Sequence, residues 1–288
     1  MHALPLVISL VSAAALAPAL LRMLLAGGHT RVNYRARALP SPFGVLVLLA
    51  AVVALVPVML LQVLASTDLL HPETVPIALY ALGVLALGLV DDTLGERREA
   101  PGSGEPNGSV PARGWRGHGA ALLRGELSTG ALKAVGSLGL ALFATSMLGL
   151  SNGRWLLATA VLVLATNAFN LLDLRPGRAV KAFVLLGLGV GLGSGEARPL
   201  WALGLFAAPA LVAGFYDVRE RAMLGDTGAN LLGALAGLWL VLALSGAGQV
   251  IALAVLAALT VYGELRSISD FVERTPGLRQ LDSFGRPA

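Results

Sequence analysis

Apolar runs long enough to cross a bilayer recur along almost the whole chain, and this pattern restricts the fold more than any other feature. Nine can be marked, at residues 3–26, 43–65, 75–91, 128–149, 155–172, 179–194, 199–216, 227–245 and 249–266. A hydrocarbon core about 30 Å thick needs ~20 apolar helical residues to span it. Several runs are rich in Gly and Ala, which let helices approach closely in lipid. Composition agrees, with 56% hydrophobic and only 13% charged residues, where a soluble domain carries about 25% charged. The expected fold is therefore all-α, a polytopic membrane bundle of about nine transmembrane helices. The first run lacks a basic leader and outlasts a signal h-region, which points to a retained helix rather than a cleaved signal. Cys is absent, which excludes disulfides and thiolate metal sites.

The connections alternate in character. Those at 27–42, 92–127, 173–178 and 217–226, and the stretch after 266, are polar and basic, while the others are short. Of 21 Lys and Arg, only Arg154 and Arg198 fall on the second side. The positive-inside rule makes the basic side cytoplasmic, with the N-terminus outside and the C-terminus inside. The net charge of +4 then reflects cytoplasmic loops rather than a nucleic-acid partner.

Three apolar runs end in dense polar clusters on that cytoplasmic side. One is Asp91-Asp92, one is the stretch TNAFNLLDLRPGRAVK at 166–181, and one surrounds Asp226, with Asp217 shortly before it. An acidic pair directly after an apolar run is costly unless paired or used. Helix-end acids that merely cap are the bland alternative.

Residues 1–266 are expected to form the membrane domain, and 92–127 a cytoplasmic loop whose Gly- and Pro-rich part, 96–114, is mobile. His118 in that loop reads as solvated rather than as a ligand. Residues 267–288 form a cytoplasmic tail. Leu265, Ile268, Phe271 and Val272 at helical spacing suggest an amphipathic helix there. Thr275-Pro276 would end it or start a second short helix. The tail is either a surface helix or a lid.

Carboxylates gathered at a membrane face suit a hard divalent cation. Mg²⁺ usually takes one or two carboxylates while substrate phosphates complete its shell. With no Cys and four scattered His, a zinc site is disfavoured. Lys133, Arg175, Arg178 and Lys181 could neutralise phosphate. The set reads as Mg²⁺-assisted phosphoryl transfer. An ion or proton pathway, as in a transporter or flippase, would place acids in mid-helix instead.

GLVDD (88–92), NAFNLLD (167–173) and MLGDTGANLLG (223–233) resemble three signatures of the polyprenyl-phosphate N-acetylhexosamine-1-phosphate transferases, in order and across nearly the whole chain. Pro40-Ser41-Pro42-Phe43-Gly44 and Lys133 resemble two further family features. The resemblance implies a bacterial cytoplasmic-membrane enzyme with its site facing the cytoplasm. It would transfer a sugar-1-phosphate from a nucleotide sugar, commonly UDP-linked, to undecaprenyl or another polyprenyl phosphate, initiating a cell-envelope glycan. It also implies Mg²⁺, with Mn²⁺ as a substitute, and a homodimer by analogy. On that resemblance Asp91, Asp92 and Asp226 are catalytic, with Asp226 and Asp91 at the metal. Lys133, Asn167, Asn170, Asp173 and, more loosely, Asp217 would bind substrate, and Arg175, Gly177 and Arg178 are added to them as substrate-binding candidates of this chain's own.

The sequence departs from the family at two places. After Asp173, Leu174 stands where the family has Gly, and Pro176 where it has a second Asp that contributes to uracil recognition. Arg175 and Arg178 flank that proline, and either grip an anion or anchor the helix at the headgroups. The tail also lacks the family's histidines, with Arg266, Arg274 and Arg279 as candidate substitutes. These departures leave three readings: an active transferase with an unusual donor, a non-catalytic relative that binds polyprenyl phosphate or a partner, and a transporter.

Overall fold

The computed structural model describes residues 2–95 and 129–287. The expected mobile segment 96–114 and His118 lie outside the described residues. Helices stand at all nine expected positions: α1 Leu4–Ala26, α2 Val45–Leu64, α3 Thr74–Leu94, α4 Thr129–Ser146, α5 Asn152–Leu172, α6 Arg178–Ser194, α7 Arg198–Val218, α8 Gly225–Ala243 and α9 Gly246–Leu265. Among the described residues, seven of them, all except α4 and α6, are long and apolar enough to cross a membrane. Two short helices follow, α10 Ile268–Arg274 and α11 Pro276–Ser283, so Thr275-Pro276 starts a second helix.

Two local features were not expected. The connection between α1 and α2 carries a small antiparallel hairpin, β1 Thr30–Val32 and β2 Ala38–Pro40, with Arg31 opposite Leu39. And α3 runs on to Leu94, so Asp92 is helical rather than the first residue of a loop.

The bundle is built around α8, whose apolar window is 83% buried. It is flanked by α5, α3, α7 and α6. Small residues make this possible. A Cβ on Gly233 would fall 2.6 Å from the Thr166 Cα on α5, and one on Gly237 would fall 3.1 Å from the Leu162 Cα. With no side chain in the way, the backbones close in, the packing that lipid-embedded helices favour. By contrast α9 is 17% and α1 28% buried over their apolar windows, leaving apolar faces turned outward.

Several hydroxyls inside the bundle pair across helices, as lipid-embedded polar groups favour, whereas Trp239 Nε1 and Gln249 Oε1 are buried without a partner among the described residues. The Tyr80 and Thr166 hydroxyls meet at 3.0 Å between α3 and α5, and those of Thr145 and Thr159 meet at 2.9 Å between α4 and α5. Ser9 donates from α1 to the Gly204 carbonyl of α7.

One close approach sets the position of the candidate site. A Cβ on Gly88 of α3 would fall 2.5 Å from the Asp226 carbonyl oxygen, and one on Gly44 would fall 2.3 Å from the Gly228 nitrogen. These glycines bring the acidic end of α3 and the start of α2 against the first turn of α8. The segment Pro40–Gly44, running from the end of β2 to the start of α2, seals the junction by backbone hydrogen bonds. Met223 N–H donates to Pro40 O, Phe43 N–H to Met223 O, and Gly44 N–H to Leu224 O.

Candidate active site at the acidic helix ends

The two adjacent acids of α3 do different work. Asp92 turns into the N-terminus of α8, where backbone N–H groups have no intrahelical partner. It accepts from the N–H of Asp226 at 3.1 Å, the N–H of Thr227 at 2.8 Å and the Thr227 hydroxyl at 2.7 Å. Arg31 of β1 adds a fourth contact at 3.1 Å, and the Asp92 side chain is 2% exposed. Asp92 thus caps α8 from a different helix. The cap requires Gly225, whose φ is +70° and whose Cβ, if it had one, would lie 2.6 Å from Asp92 Oδ2.

Asp91 faces the other way. Its carboxylate accepts from Lys133 Nζ at 2.9 Å, and the Asp226 carboxylate accepts from the same nitrogen at 2.5 Å. All three side chains keep some exposure, 22% for Asp91, 28% for Asp226 and 16% for Lys133. Helices α3, α4 and α8 each contribute one member, so this constellation exists only in the folded bundle.

These carboxylates suit Mg²⁺ in donor type and number, because two of their oxygens converge on one cation, here the lysine ammonium. Among the described residues no group of three or more His, Cys, Asp or Glu is placed to hold a metal. Substrate phosphates would therefore have to complete the shell, the usual arrangement for this ion.

A second group gathers at the turn between α5 and α6. Asp173 ends α5. Desolvation first, then the charges of Asp217, Asp226 and Asp92, push its carboxyl well above the usual carboxylate range, against the lowering effect of Arg178. Asp173 lines a recess together with Asp217 and Arg175. Asp217, 3% exposed, accepts from Gly177 N–H at 2.6 Å and Leu224 N–H at 3.3 Å. Both of its oxygens are engaged in tying the α5–α6 turn to the segment leading into α8. Gly177 has φ +76°, and a Cβ there would strike the Val218 side chain at 2.5 Å. Asp217 and Gly177 shape the wall of the site in this structure.

The arginines are engaged as well. Arg175 pairs with Glu273 of α10 at 2.6 Å, and its guanidinium lies 4.4 Å from the centre of the Tyr34 ring. It borders a shallow recess shared with Asn33, Tyr34, Asp173, Pro176 and Met223. Arg178, 6% exposed, pairs with Asp282 of α11 through two nitrogens at 2.9 and 3.1 Å.

The two asparagines sit further along α5. Asn167 directs its amide to Thr260 of α9 at 3.5 Å, the limit of a hydrogen bond. Asn170 is half-buried one turn before Asp173, and its carbonyl accepts the Asp173 N–H at 3.3 Å. The structure joins Asp91, Asp226 and Lys133 directly, brings Asp173, Arg175, Gly177, Arg178 and Asp217 together nearby, and turns Asn167 toward α9.

Sequence reading passed over Arg31, which reaches Asp92, and Asn33 and Tyr34 of the hairpin with their anchor, Glu220. Asn33 accepts from the backbone N–H of Arg35 and Arg37 at 2.9 and 3.0 Å, a turn its side chain stabilises. Tyr34 donates to Glu220 at 3.1 Å. The only signal was the density of Arg and Asn in RVNYRAR, which reads equally as a basic loop.

No family model matches this chain, nor does any curated protein.

Proposed function

We propose that this chain is a membrane-embedded transferase that moves a sugar-1-phosphate from a nucleotide sugar to a polyprenyl phosphate at the cytoplasmic membrane face. The observation that carries this reading is the convergence of Asp91, Asp226 and Lys133 at one partly exposed point. Those are three of the residues that the transferase resemblance singles out, and they come from three separate helices. In this reading all nine long helices cross the membrane, with the N-terminus outside and the basic connections in the bacterial cytoplasm.

In the reaction a phosphate oxygen of the lipid attacks the phosphorus attached to the sugar. The bond from that phosphorus to the leaving nucleoside monophosphate breaks, giving a lipid diphosphate sugar. A Mg²⁺ ion held by Asp226 and Asp91 would offset charge on the diphosphate and the leaving group. Lys133, which already bridges the two carboxylates, would move onto a phosphate oxygen as substrate enters. Asp92 keeps Asp226 in place through the backbone N–H of the first turn of α8. Since the lipid phosphate is largely ionised near neutral pH, positioning contributes more than proton removal. Asp173 and Arg175 border the recess beside this point, where the nucleotide would lie.

A second reading has one specific observation in its favour. Lys133 Nζ fills the point between the two carboxylates, and both arginines of the α5–α6 turn are paired within the chain. A relative that binds polyprenyl phosphate without turnover would tolerate this arrangement.

The deciding experiment supplies the purified chain in detergent with undecaprenyl phosphate, Mg²⁺ and a panel of nucleotide sugars. Lipid-linked product is read by mass spectrometry, with Asp226→Ala as control. A product that vanishes in the control supports the transferase and identifies its donor. No product with any donor, while undecaprenyl phosphate still binds, moves the weight to the non-catalytic reading.

A further inference from the structure

The α5–α6 turn carries more positive charge than its contacts require. Arg178, Lys181 and Arg286 all converge on one residue, Asp282. Its Oδ1 accepts from Arg178 Nε and from an Arg286 nitrogen, each at 2.9 Å. Its Oδ2 accepts from a second Arg178 nitrogen at 3.1 Å, and its main-chain oxygen from Lys181 Nζ at 2.6 Å. The side chains of Arg178, Asp282 and Arg286 are 7%, 11% and 9% exposed. Two guanidiniums thus share one nearly buried carboxylate, and the Lys181 ammonium sits on the main-chain oxygen of the same residue. A further acid, Asp217, directs its two oxygens to the N–H groups of Gly177 and Leu224.

That pattern is the one a phosphate group meets. Three oxygens of one residue receive a two-pronged guanidinium, a second guanidinium and an ammonium. Arginine binds carboxylate and phosphate with the same fork geometry. Among the described residues Asp282 is the only acidic residue hydrogen-bonded to these three residues, while Asp217 acts on Lys181 and Arg286 only through space. A dianionic phosphate would balance the site better.

Asp282 is also weakly held by anything else. No residue of α11 is buried, and α10 buries only Ile268. Leu278, Leu281 and Phe284 remain exposed. The Arg175–Glu273 pair, the buried Ile268 and the edge-on contact of Phe271 with Tyr262 hold α10, whereas α11 is fastened by the ion pairs of Asp282. Arg286 additionally donates to the Pro176 carbonyl at 2.8 Å, which ties the tail to the turn bordering the Asp173 recess.

We propose that Arg178, Lys181 and Arg286 form a phosphate-binding socket in which Asp282 is an internal competitor, displaced when a phosphate group of the substrate arrives. The socket gives the site a latch: with it closed, α11 stays docked, and an incoming phosphate frees it. This inference rests on the transferase reading for the source of the phosphate, which is either the nucleotide diphosphate or the lipid phosphate.

The test uses the full chain in detergent without divalent cations, and inorganic pyrophosphate as the probe. Asp282→Asn, which keeps the shape and removes the charge, should bind pyrophosphate about tenfold more tightly than the wild type. Arg178→Gln should lose the binding. In the wild type, pyrophosphate should speed tryptic cleavage after Arg279, which is exposed on α11. UDP and undecaprenyl phosphate are then offered as competitors, and the one that displaces pyrophosphate names the source. Equal affinity in wild type and Asp282→Asn, binding retained in Arg178→Gln, or competition by neither compound overturns the proposal. Should Asp282→Asn fail to fold, the cleavage measurement on the wild type decides, and an unchanged rate sinks the latch. These readouts need no turnover, so their failure leaves the transferase reading to its own product assay, and the reverse holds equally.

Discussion

Asp92 fixes the position of Asp226 without touching its side chain: the Asp92 carboxylate accepts the Asp226 backbone N–H at 3.1 Å and the neighbouring Thr227 N–H at 2.8 Å. One acid of the pair on α3 therefore holds the first turn of α8, while the other, Asp91, faces Lys133 and Asp226.

Asp92→Ala should lower stability by about 1–2 kcal/mol through loss of the cap and reduce turnover by displacing Asp226. Asp92→Asn keeps an acceptor and should lose less of both. Unfolding of the two variants in detergent, followed alongside product formation, checks this. Full stability in Asp92→Ala with turnover abolished would point instead to a direct role in the chemistry.

Lys133→Gln leaves Asp91 and Asp226 as adjacent carboxylates without their shared cation. The variant should be less stable than the wild type without divalent ions, and Mg²⁺ should raise its melting temperature more than it raises that of the wild type. A thermal-shift titration reads this directly. An identical Mg²⁺ response in both proteins would mean that the carboxylates do not form the ion's site.

Gly88→Ala should separate α3 from α8, because its Cβ would lie 2.5 Å from the Asp226 carbonyl oxygen. Overpacking of this kind costs about 1–3 kcal/mol. Gly189→Ala is the control, since a Cβ there meets nothing within 4 Å. Equal melting temperatures for the two variants would show that α3 can shift freely.

Arg175→Ala should weaken binding of the donor more than binding of the lipid, since Arg175 borders the recess with Tyr34 and Asp173. Equilibrium binding of each substrate separates the two. Equal losses for both would assign Arg175 a structural role through Glu273.

The latch should open in acid. Burial opposes ionisation of Asp282, but the hydrogen bonds and charge of Arg178, followed by Arg286, outweigh it and hold the carboxyl below the usual range. Its folded value thus lies below the unfolded value of about 3.9. The stability it contributes is present above that pH and is lost as pH falls through the lowered value. Hydrogen-exchange protection over residues 276–287, corrected for the intrinsic exchange rate at each pH, should fall across that window in the wild type and stay constant there in Asp282→Asn.

The sequence by itself determined the helical membrane character and the helix positions. Apolar run length and backbone satisfaction in lipid leave little choice, and Pro276 set the break between α10 and α11. It also singled out Asp91, Asp92, Asp226 and Lys133 as site candidates, and the bundle brings Asp91, Asp226 and Lys133 into contact. It could not separate Asp91 from Asp92, because adjacent helical residues point about 100° apart and only the packing of α3 on α8 decides which meets a helix end and which meets a lysine. Nor could it show that Arg178 faces Asp282, a pairing across 104 residues that depends on where the tail docks. Local periodicity is written along the chain, whereas partners for charges are chosen by the bundle as it closes.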